Sequence, residues 1–167
     1  HPQIGLPGLE ISSGSLGQGL SVAIGMALGD KMDGIDAKVY CLMGDGETNE
    51  GQVWEAAMTA GHRKVKNLTL IIDRNRLQQG ARTEATAGRD PLDDKYRAFG
   101  WHVVEIDGHD YGQLQETLGA PVGARDKPLC VIANTVKGKG VSFMEDQAKW
   151  HHGVPNAEQF AQAGRNK

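Results

Sequence analysis

Four short apolar runs, rich in β-branched residues and separated by segments of helical period, constrain the fold of this chain most strongly. They span residues 39–43, 68–73, 102–107 and 129–135. Between the first two runs, apolar residues follow the i, i+3, i+4, i+7 spacing of a helix at Val53, Ala56, Ala57 and Ala60. Strands that alternate with helices predict right-handed crossovers and a mostly parallel sheet with helices on both faces, which is an α/β fold. In such a fold, ligands bind beyond the carboxyl ends of the strands.

The composition excludes several classes of protein. With 167 residues the chain is long enough for one domain. Its net charge of -3 comes from interspersed acidic and basic residues without a basic run, so we expect no nucleic-acid partner. The apolar stretches are too short to span a bilayer, and we expect no membrane partner. Cys41 and Cys130 each lie within an apolar run without metal-ligand spacing, which suits a reducing compartment and predicts a cytoplasmic protein.

A stripe of small residues marks the first predicted helix, which begins near Leu16. Glycine is unusually frequent, with 23 residues. In this helix, Gly17, Ser21, Gly25 and Gly29 occupy every fourth position. Each glycine in a helix interior costs roughly 1 kcal/mol relative to alanine. The stripe therefore predicts that another backbone or a ligand approaches this face closely.

A Gly-Asp-Gly turn directly follows the first apolar run and is the main candidate for chemistry. Asp45 lies between Gly44 and Gly46, and the second apolar run leads into Asn75. Because neighbouring parallel strands end at the same edge of a sheet, we expect Asp45 and Asn75 to lie close together. A carboxylate and an amide oxygen are hard ligands suited to Mg²⁺. The glycines, which lack a Cβ atom, would let the backbone approach a diphosphate.

The turn and its neighbours resemble a known family. Gly44-Asp45-Gly46 followed by Asn75 resembles the thiamine diphosphate motif. The segments GDGETNEGQVWEAA, IIDRNRLQQG, FGWHVVEIDGHD and TVKGKGVSFMEDQAKWHHGVP, in this order, are similar to the N-terminal domain of transketolases over nearly the whole chain. The resemblance implies the diphosphate-binding domain of a thiamine diphosphate enzyme, with Mg²⁺, Ca²⁺ or Mn²⁺ as the metal. It also implies transfer of a two-carbon ketol unit between ketose and aldose phosphates.

The same resemblance implies which residues hold the cofactor. It implies that Asp45, Asn75 and the carbonyl of Leu77 coordinate the metal. It also implies that the Gly46 N–H donates a hydrogen bond to the diphosphate. The opening loop resembles the family's loop over the thiazolium ring. The further implied cofactor contacts are Gly14 and Leu16 in that loop, together with Gly44, Glu50, Asn75, Gln79 and Lys137, whose charge would help to neutralise the diphosphate. Gln78 stands where the family pattern has glycine.

Three implied catalytic residues complete the site. His1 matches the family's histidine that contacts the hydroxyl and carbonyl side of the substrate. His152 matches the histidine of the family's HGxP pattern, with His151 beside it as an additional candidate. Glu50 has two interpretations. It could stabilise the N-terminus of a predicted helix over residues 52–61, whereas the resemblance assigns it to an acid pair across the subunit boundary, linked to the glutamate that activates the cofactor.

The resemblance also predicts an incomplete domain organisation. Residues 1–167 would form a single diphosphate-binding domain, incomplete at its N-terminus, and the activating glutamate would belong to an absent pyrimidine domain. We therefore expect a pyrimidine-domain partner chain or segment, sugar phosphate substrates, and a homodimer or heterotetramer. Deoxyxylulose-phosphate synthase, decarboxylating E1 subunits and a non-catalytic cofactor-binding paralogue are the alternatives. The segment SSGSLGQG at residues 12–19 and the WHHGVP sequence favour the transketolase type.

Overall fold

The computed structural model describes residues 3–121 and 125–164, and a four-stranded parallel sheet forms its centre. In chain order the strands are β1 (Val39–Gly44), β2 (Leu68–Arg74), β3 (Leu77–Gln78), β4 (Ala81–Arg82), β5 (His102–Asp107) and β6 (Leu129–Asn134). The sheet has the order β1-β2-β6-β5, and each neighbouring pair is parallel. Strands β3 and β4 form a separate antiparallel hairpin. The predicted parallel sheet is confirmed, and its strand limits agree with the apolar runs to within one residue.

Helices cover both faces of this sheet, as predicted. In chain order they are α1 (Gln18–Met32), α2 (Gly51–His62), α3 (Thr83–Thr86), α4 (Leu92–Ala98), α5 (Tyr111–Gly119) and α6 (Ala157–Gly164), with 3-10 turns at Gly46–Asn49 and Ala148–His151. Helices α1, α2 and α4 pack on one face, and α5 packs on the other. Among the described residues, no helix has the length and apolar character needed to cross a membrane.

Each face of the sheet has its own apolar cluster. On β2, Leu68, Leu70 and Ile72 are fully buried in the cluster that includes α1 and α2. Ile71 points to the opposite cluster, which contains Leu114 of α5. Burial of each such side chain stabilises the fold by roughly 1.5–3 kcal/mol. Because both faces of β2 are covered, this strand is a nearly continuous apolar run in the sequence.

Helix α2 approaches the segment before β5 closely at Gly61. A Cβ atom at this position would lie 1.8 Å from the Phe99 carbonyl oxygen, so only glycine fits. Nearby, the buried Trp101 donates its Nε1–H to the Ala57 carbonyl at 2.8 Å. These contacts fix α2, and with it the turn that precedes α2, relative to the sheet.

The polar segment at residues 74–95 is more ordered than its sequence indicates. It contains the β3–β4 hairpin, α3 and the start of α4. Each hairpin strand has two residues, which are too few to show the alternating period of a strand. The hairpin tip includes Gln79 with a φ of 31°. Such short elements depend on tertiary contacts rather than on a local pattern, so the sequence does not reveal them.

The small-residue stripe of α1 is shorter than predicted. Gly17 precedes the helix with a φ of 81° and is buried against Glu50, so it does not belong to the open face. Ser21 and Gly25 are exposed. A Cβ atom on Gly25 or on Gly29 would point into open space, with no neighbouring segment within 4 Å. No other helix in the described part of the chain covers this face. We therefore still predict that a second subunit or a ligand covers it.

Candidate functional site

The carboxylate of Asp45 lies at the carboxyl end of β1, against the residues that follow β2. The parallel register pairs Gly44 with Asp73, and the Asp45 N–H donates to the Asp73 carbonyl at 3.1 Å. Asp45 Oδ2 accepts the Arg76 N–H at 2.8 Å, and Oδ1 accepts the Gly46 N–H at 2.8 Å. Since Asp45 is only 1% exposed, it is a buried acid held by backbone N–H groups.

Asn75 and Leu77 lie in the turn that wraps around this carboxylate. Asn75 Oδ1 accepts the Leu77 N–H at 3.0 Å, and Asn75 Nδ2 donates to Asp73 Oδ2 at 3.3 Å. Between them, Arg76 has a φ of 63°, which curls the backbone toward Asp45. The structure therefore places Asp45 against the segment that contains Asn75 and Leu77, at the carboxyl ends of β1 and β2.

The buried surroundings of Asp45 disfavour the charged form of its carboxyl. Burial raises the pKa of its carboxyl above the ordinary value. Hydrogen bonds from the Arg76 and Gly46 N–H groups act in the opposite direction without cancelling this effect. The guanidinium charges of Arg89 and Arg74 contribute less still. A divalent cation beside the carboxylate would compensate its buried charge directly.

The set of oxygen donors fits a hard divalent cation. Asp45 offers a carboxylate, Asn75 an amide oxygen and Leu77 a backbone carbonyl. Such ligands suit Mg²⁺, which fills its other octahedral positions with water and phosphate oxygens. In residues 3–121 and 125–164, no three His, Cys, Asp or Glu side chains cluster as a metal site. The turn at Asp45 therefore remains the candidate metal site among the described residues.

The β3–β4 hairpin borders the Gly-Asp-Gly turn and leaves room only for glycine at position 46. A Cβ atom on Gly46 would lie 2.8 Å from Gln78 Cβ. Gln78 Oε1 also accepts a hydrogen bond from Asn49 Nδ2 at 3.2 Å. The residue that departs from the family pattern thus packs against the turn. Gln79 follows it, exposed at the hairpin tip.

The loop before α1 meets the Gly-Asp-Gly turn through Glu47, which the sequence analysis did not identify. Glu47 Oε1 accepts the Gly17 N–H at 2.9 Å, and Oε2 accepts the Gly44 N–H at 3.2 Å. Gly14 and Leu16, the predicted cofactor contacts in this loop, are exposed. Glu47 therefore sets the position of the loop that carries them.

Glu50 lies beside the same loop, at the start of α2. A Cβ atom on Gly17 would stand 2.7 Å from Glu50 Cβ. The Glu50 side chain is exposed and makes no capping hydrogen bond to α2, so direct capping is not its role. An exposed carboxylate at this place is compatible with a contact across a subunit boundary, which stays a prediction.

Lys137 and two histidines lie beyond β6. Lys137 is half-buried, and its carbonyl accepts the Asp146 N–H at 2.9 Å. His151 and His152 are exposed, with ring centres 4.6 Å apart. Desolvation lowers the pKa of His151, and the charges of Lys137 and His152 add smaller contributions, so these three side chains share one electrostatic environment. His1 lies outside the described residues, and its role stays a prediction.

A network of buried arginines beside the site was also missed. Arg74 at the end of β2 is 5% exposed, and its Nη2 donates to both carboxylate oxygens of Asp90, at 2.6 and 2.8 Å. Arg89 is 3% exposed. Its Nη1 donates to Asn49 Oδ1 at 2.6 Å, and its Nη2 lies 3.7 Å from Glu84 Oε1. Arginines in a polar segment resemble surface charges, and no local signal in the sequence marks them as buried.

The sequence matches the family described as "Transketolase, thiamine diphosphate binding domain" over residues 1–167. It is 49% identical over 165 residues to an apulose-4-phosphate transketolase subunit of Phocaeicola vulgatus, a match that covers 99% of this chain and 59% of that protein. It is 44% identical over 145 residues to the 6-deoxy-6-sulfo-D-fructose transketolase subunit SqwG of a Clostridium species, covering 87% of this chain and 53% of that protein. The chain thus spans a little more than half the length of these relatives.

The fold is similar to that of solved transketolases. The transketolase of Campylobacter jejuni superimposes with a TM-score of 0.89 and 35% sequence identity, covering 99% of this chain and 27% of that chain. The transketolase of Leishmania mexicana gives a TM-score of 0.84 with 29% identity, covering 96% and 26%. Sequence and fold therefore agree with the resemblance on which the site residues were predicted.

Proposed function

Because the chain belongs to the transketolase family through its thiamine diphosphate binding domain, we propose that it forms the metal-binding and diphosphate-binding part of a transketolase active site. The proposed reaction transfers a two-carbon ketol unit between a ketose phosphate and an aldose phosphate. The buried Asp45 carboxylate carries this proposal, since it lies against the turn that contains Asn75 and Leu77. The names of similar proteins include apulose-4-phosphate and 6-deoxy-6-sulfo-D-fructose, and we propose sugars of this class as substrates.

The metal would be held by Asp45, Asn75 and the Leu77 carbonyl. Mg²⁺ fits these ligands best, with Ca²⁺ or Mn²⁺ as substitutes. The Gly46 N–H, which donates to Asp45 Oδ1 at 2.8 Å in this structure, would turn to the diphosphate once the carboxylate faces a cation. Lys137 would add a positive charge beyond β6, on the same edge of the sheet.

The cofactor's organic part would lie between the loop before α1 and the β3–β4 hairpin. When bound, thiamine diphosphate supplies the carbanion-stabilising chemistry that breaks and forms carbon–carbon bonds. Gly14, Leu16 and Gln79 are the proposed contacts of its rings, and Gly44 lets the backbone come close to it. Rigid placement of these segments matters, because catalytic rate falls steeply when reacting groups are misaligned.

The substrate would be handled by two histidines that lie far apart in the sequence. We propose that His1 and His152 orient the substrate and exchange protons with its hydroxyl and carbonyl oxygens. Glu50 would act across a subunit boundary, in line with its exposed position. Cys41 and Cys130 are both buried and free, which supports a cytoplasmic location for the enzyme.

Replacement of the Asp45 carboxylate tests the proposal. In the enzyme assembled with its partner, Asp45→Ala should lose Mg²⁺-dependent binding of thiamine diphosphate, because the metal and diphosphate then lack their charged ligand. We expect the dissociation constant to rise by more than the roughly 10- to 100-fold that loss of an outer-shell partner costs. Calorimetric titration measures it, and ketol transfer should disappear in parallel.

Asp36→Ala is the matched control, since Asp36 is an exposed aspartate away from the sheet edge that carries the site. It should bind the cofactor as the unaltered enzyme does. Equal cofactor affinity in Asp45→Ala and Asp36→Ala would contradict the metal assignment.

A further inference from the structure

Glu47 joins two segments that are far apart in the chain. One carboxylate oxygen accepts the Gly17 N–H at 2.9 Å, and the other accepts the Gly44 N–H at 3.2 Å. Gly17 ends the loop before α1, whereas Gly44 opens the Gly-Asp-Gly turn at the end of β1. Hydrogen bonds to an ionised carboxylate are roughly twice as strong as those between neutral groups. A half-buried carboxylate therefore connects the loop to the turn directly.

Further contacts at Gly17 strengthen this connection. Gln52 Nε2 donates to the Gly17 carbonyl at 3.1 Å. Gly17 has a φ of 81°, and a Cβ atom on it would stand 2.7 Å from Glu50 Cβ. Its N–H, its carbonyl and its Cα are thus all held by the segment that follows the Gly-Asp-Gly turn. A shift of the turn must move this end of the loop as well.

Only a glutamate meets the geometric requirement at position 47. Two N–H donors point at it from different segments, so the side chain needs two acceptor oxygens. Glutamine has one acceptor oxygen and would place its NH₂ group against the second donor. Aspartate is shorter by one methylene group and would not span both amides. The two contacts of Glu47 therefore depend on both the length and the charge of its side chain.

We propose that Glu47 is a positioning residue that couples the loop at residues 12–17 to the Gly44–Gly46 turn. The coupling rests on the proposed function. Metal and diphosphate would order the turn, and the hydrogen bonds of Glu47 would then order the loop beside the cofactor's rings. Binding at the diphosphate end of the cofactor would then prepare the contacts at its ring end. Glu47 itself is not among the proposed ligands of the metal or the diphosphate.

Amide hydrogen exchange on the assembled enzyme, with and without Mg²⁺ and thiamine diphosphate, tests the coupling. In Glu47→Ala without cofactor, the Gly17 and Gly44 amides should exchange roughly tenfold faster or more, since each loses a charge-assisted hydrogen bond. Cofactor should still protect residues 44–46 in this variant but no longer protect residues 12–17. Glu116→Ala, which removes an exposed glutamate on α5, should keep both protections.

A second variant and a kinetic measurement separate positioning from folding. Glu47→Gln keeps the size of the side chain and one acceptor oxygen, so it should fold even if Glu47→Ala does not. In this variant the cofactor should protect residues 12–17 from exchange only in part. Turnover should fall more than cofactor affinity in both variants. Equal cofactor-induced protection of residues 12–17 in the unaltered enzyme and in Glu47→Gln and Glu47→Ala would overturn the coupling alone. An unaltered enzyme that binds no thiamine diphosphate would overturn the proposed function, and the coupling with it.

Discussion

Asp45 is a residue at which the stability of the cofactor-free fold and the proposed metal binding make opposite demands. Burial raises its pKa in the folded chain, despite the N–H groups and guanidinium charges around it. A carboxyl whose folded pKa exceeds its unfolded value stabilises the fold at low pH, and this contribution is lost as the pH rises through the folded value. Ionisation of Asp45 as the pH rises therefore costs stability in the cofactor-free domain. A divalent cation would reverse this effect, which is the behaviour expected of a metal ligand.

His152 is assigned to the substrate rather than to the diphosphate, and this assignment predicts a specific kinetic effect. His152→Ala should lower the turnover number by about 10²- to 10⁴-fold, the typical effect of losing one proton-transfer group. Its affinity for thiamine diphosphate should remain unchanged, because the proposed cofactor ligands are retained. Steady-state kinetics at saturating substrate and calorimetry of the assembled enzyme measure the two quantities.

Two further histidine variants provide the comparison. His62→Ala removes an exposed histidine at the end of α2 and should turn over normally. His151→Ala distinguishes the neighbouring ring, which lies 4.6 Å from that of His152. If His152→Ala turns over as fast as His62→Ala, the role carried over from the family is wrong.

Some neighbours in the site could be predicted from the sequence, and others could not. Asp45 and Asn75 each follow an apolar run that had to be a strand, so their proximity follows from parallel pairing. Glu47 gives no such signal, since an acidic residue in the first turn of a helix is common and its partner Gly17 lies in another segment. The burial of Arg89 also gives no signal in the sequence, because it depends on the packing of the β3–α4 segment.

At the scale of whole elements, burial on two faces decides what the sequence can reveal. Strands β2 and β6 are covered by helices on both sides and appear as nearly continuous apolar runs. Helix α4 has seven residues, of which only Leu92 and Tyr96 are buried. Two apolar positions are too few to establish a helical period. Long elements were therefore predicted, and short ones such as α4 and the β3–β4 hairpin were not.

The open face of α1 is the element that we expect another subunit to cover. Gly25 is exposed, and no atom lies within 4 Å of the place where its Cβ would stand. Gly25→Leu should therefore leave the fold of the chain intact, and helix propensity should even improve by a few tenths to about 1 kcal/mol. It should nevertheless block assembly, because a leucine fills the space left for close approach. Analytical ultracentrifugation and circular dichroism measure assembly and folding separately.

Gly119→Leu is the matched control for this experiment. Gly119 is also an exposed helical glycine with open space around it, but it lies on α5, which packs on the opposite face of the sheet. This variant should fold and assemble normally. Normal assembly of Gly25→Leu would mean that the bare face of α1 is not an interface.

For the molecule as a whole, the residues of the proposed site argue for a pyrimidine-domain partner chain or segment. The proposed metal ligands, the Gly-Asp-Gly turn and the proposed substrate contact His152 belong to this chain, and similar proteins are named as single subunits of their transketolases. The family resemblance assigns the glutamate that activates the cofactor to a pyrimidine domain. Glu50 does not replace it, since it lies beside the loop before α1 and next to the Gly-Asp-Gly turn. A cofactor held mainly by its diphosphate would leave its rings free to rotate.

We therefore predict that ketol transfer requires a pyrimidine-domain partner. The purified chain, supplied with Mg²⁺, thiamine diphosphate, xylulose 5-phosphate and ribose 5-phosphate, should show no turnover in a coupled assay. Addition of the partner chain should raise the rate by at least about 10²-fold, the lower range for gaining one positioned proton-transfer group. Asp45→Ala mixed with the same partner should stay inactive, which shows that the gain depends on this chain. Clear turnover by the chain alone would mean that its active site is already complete.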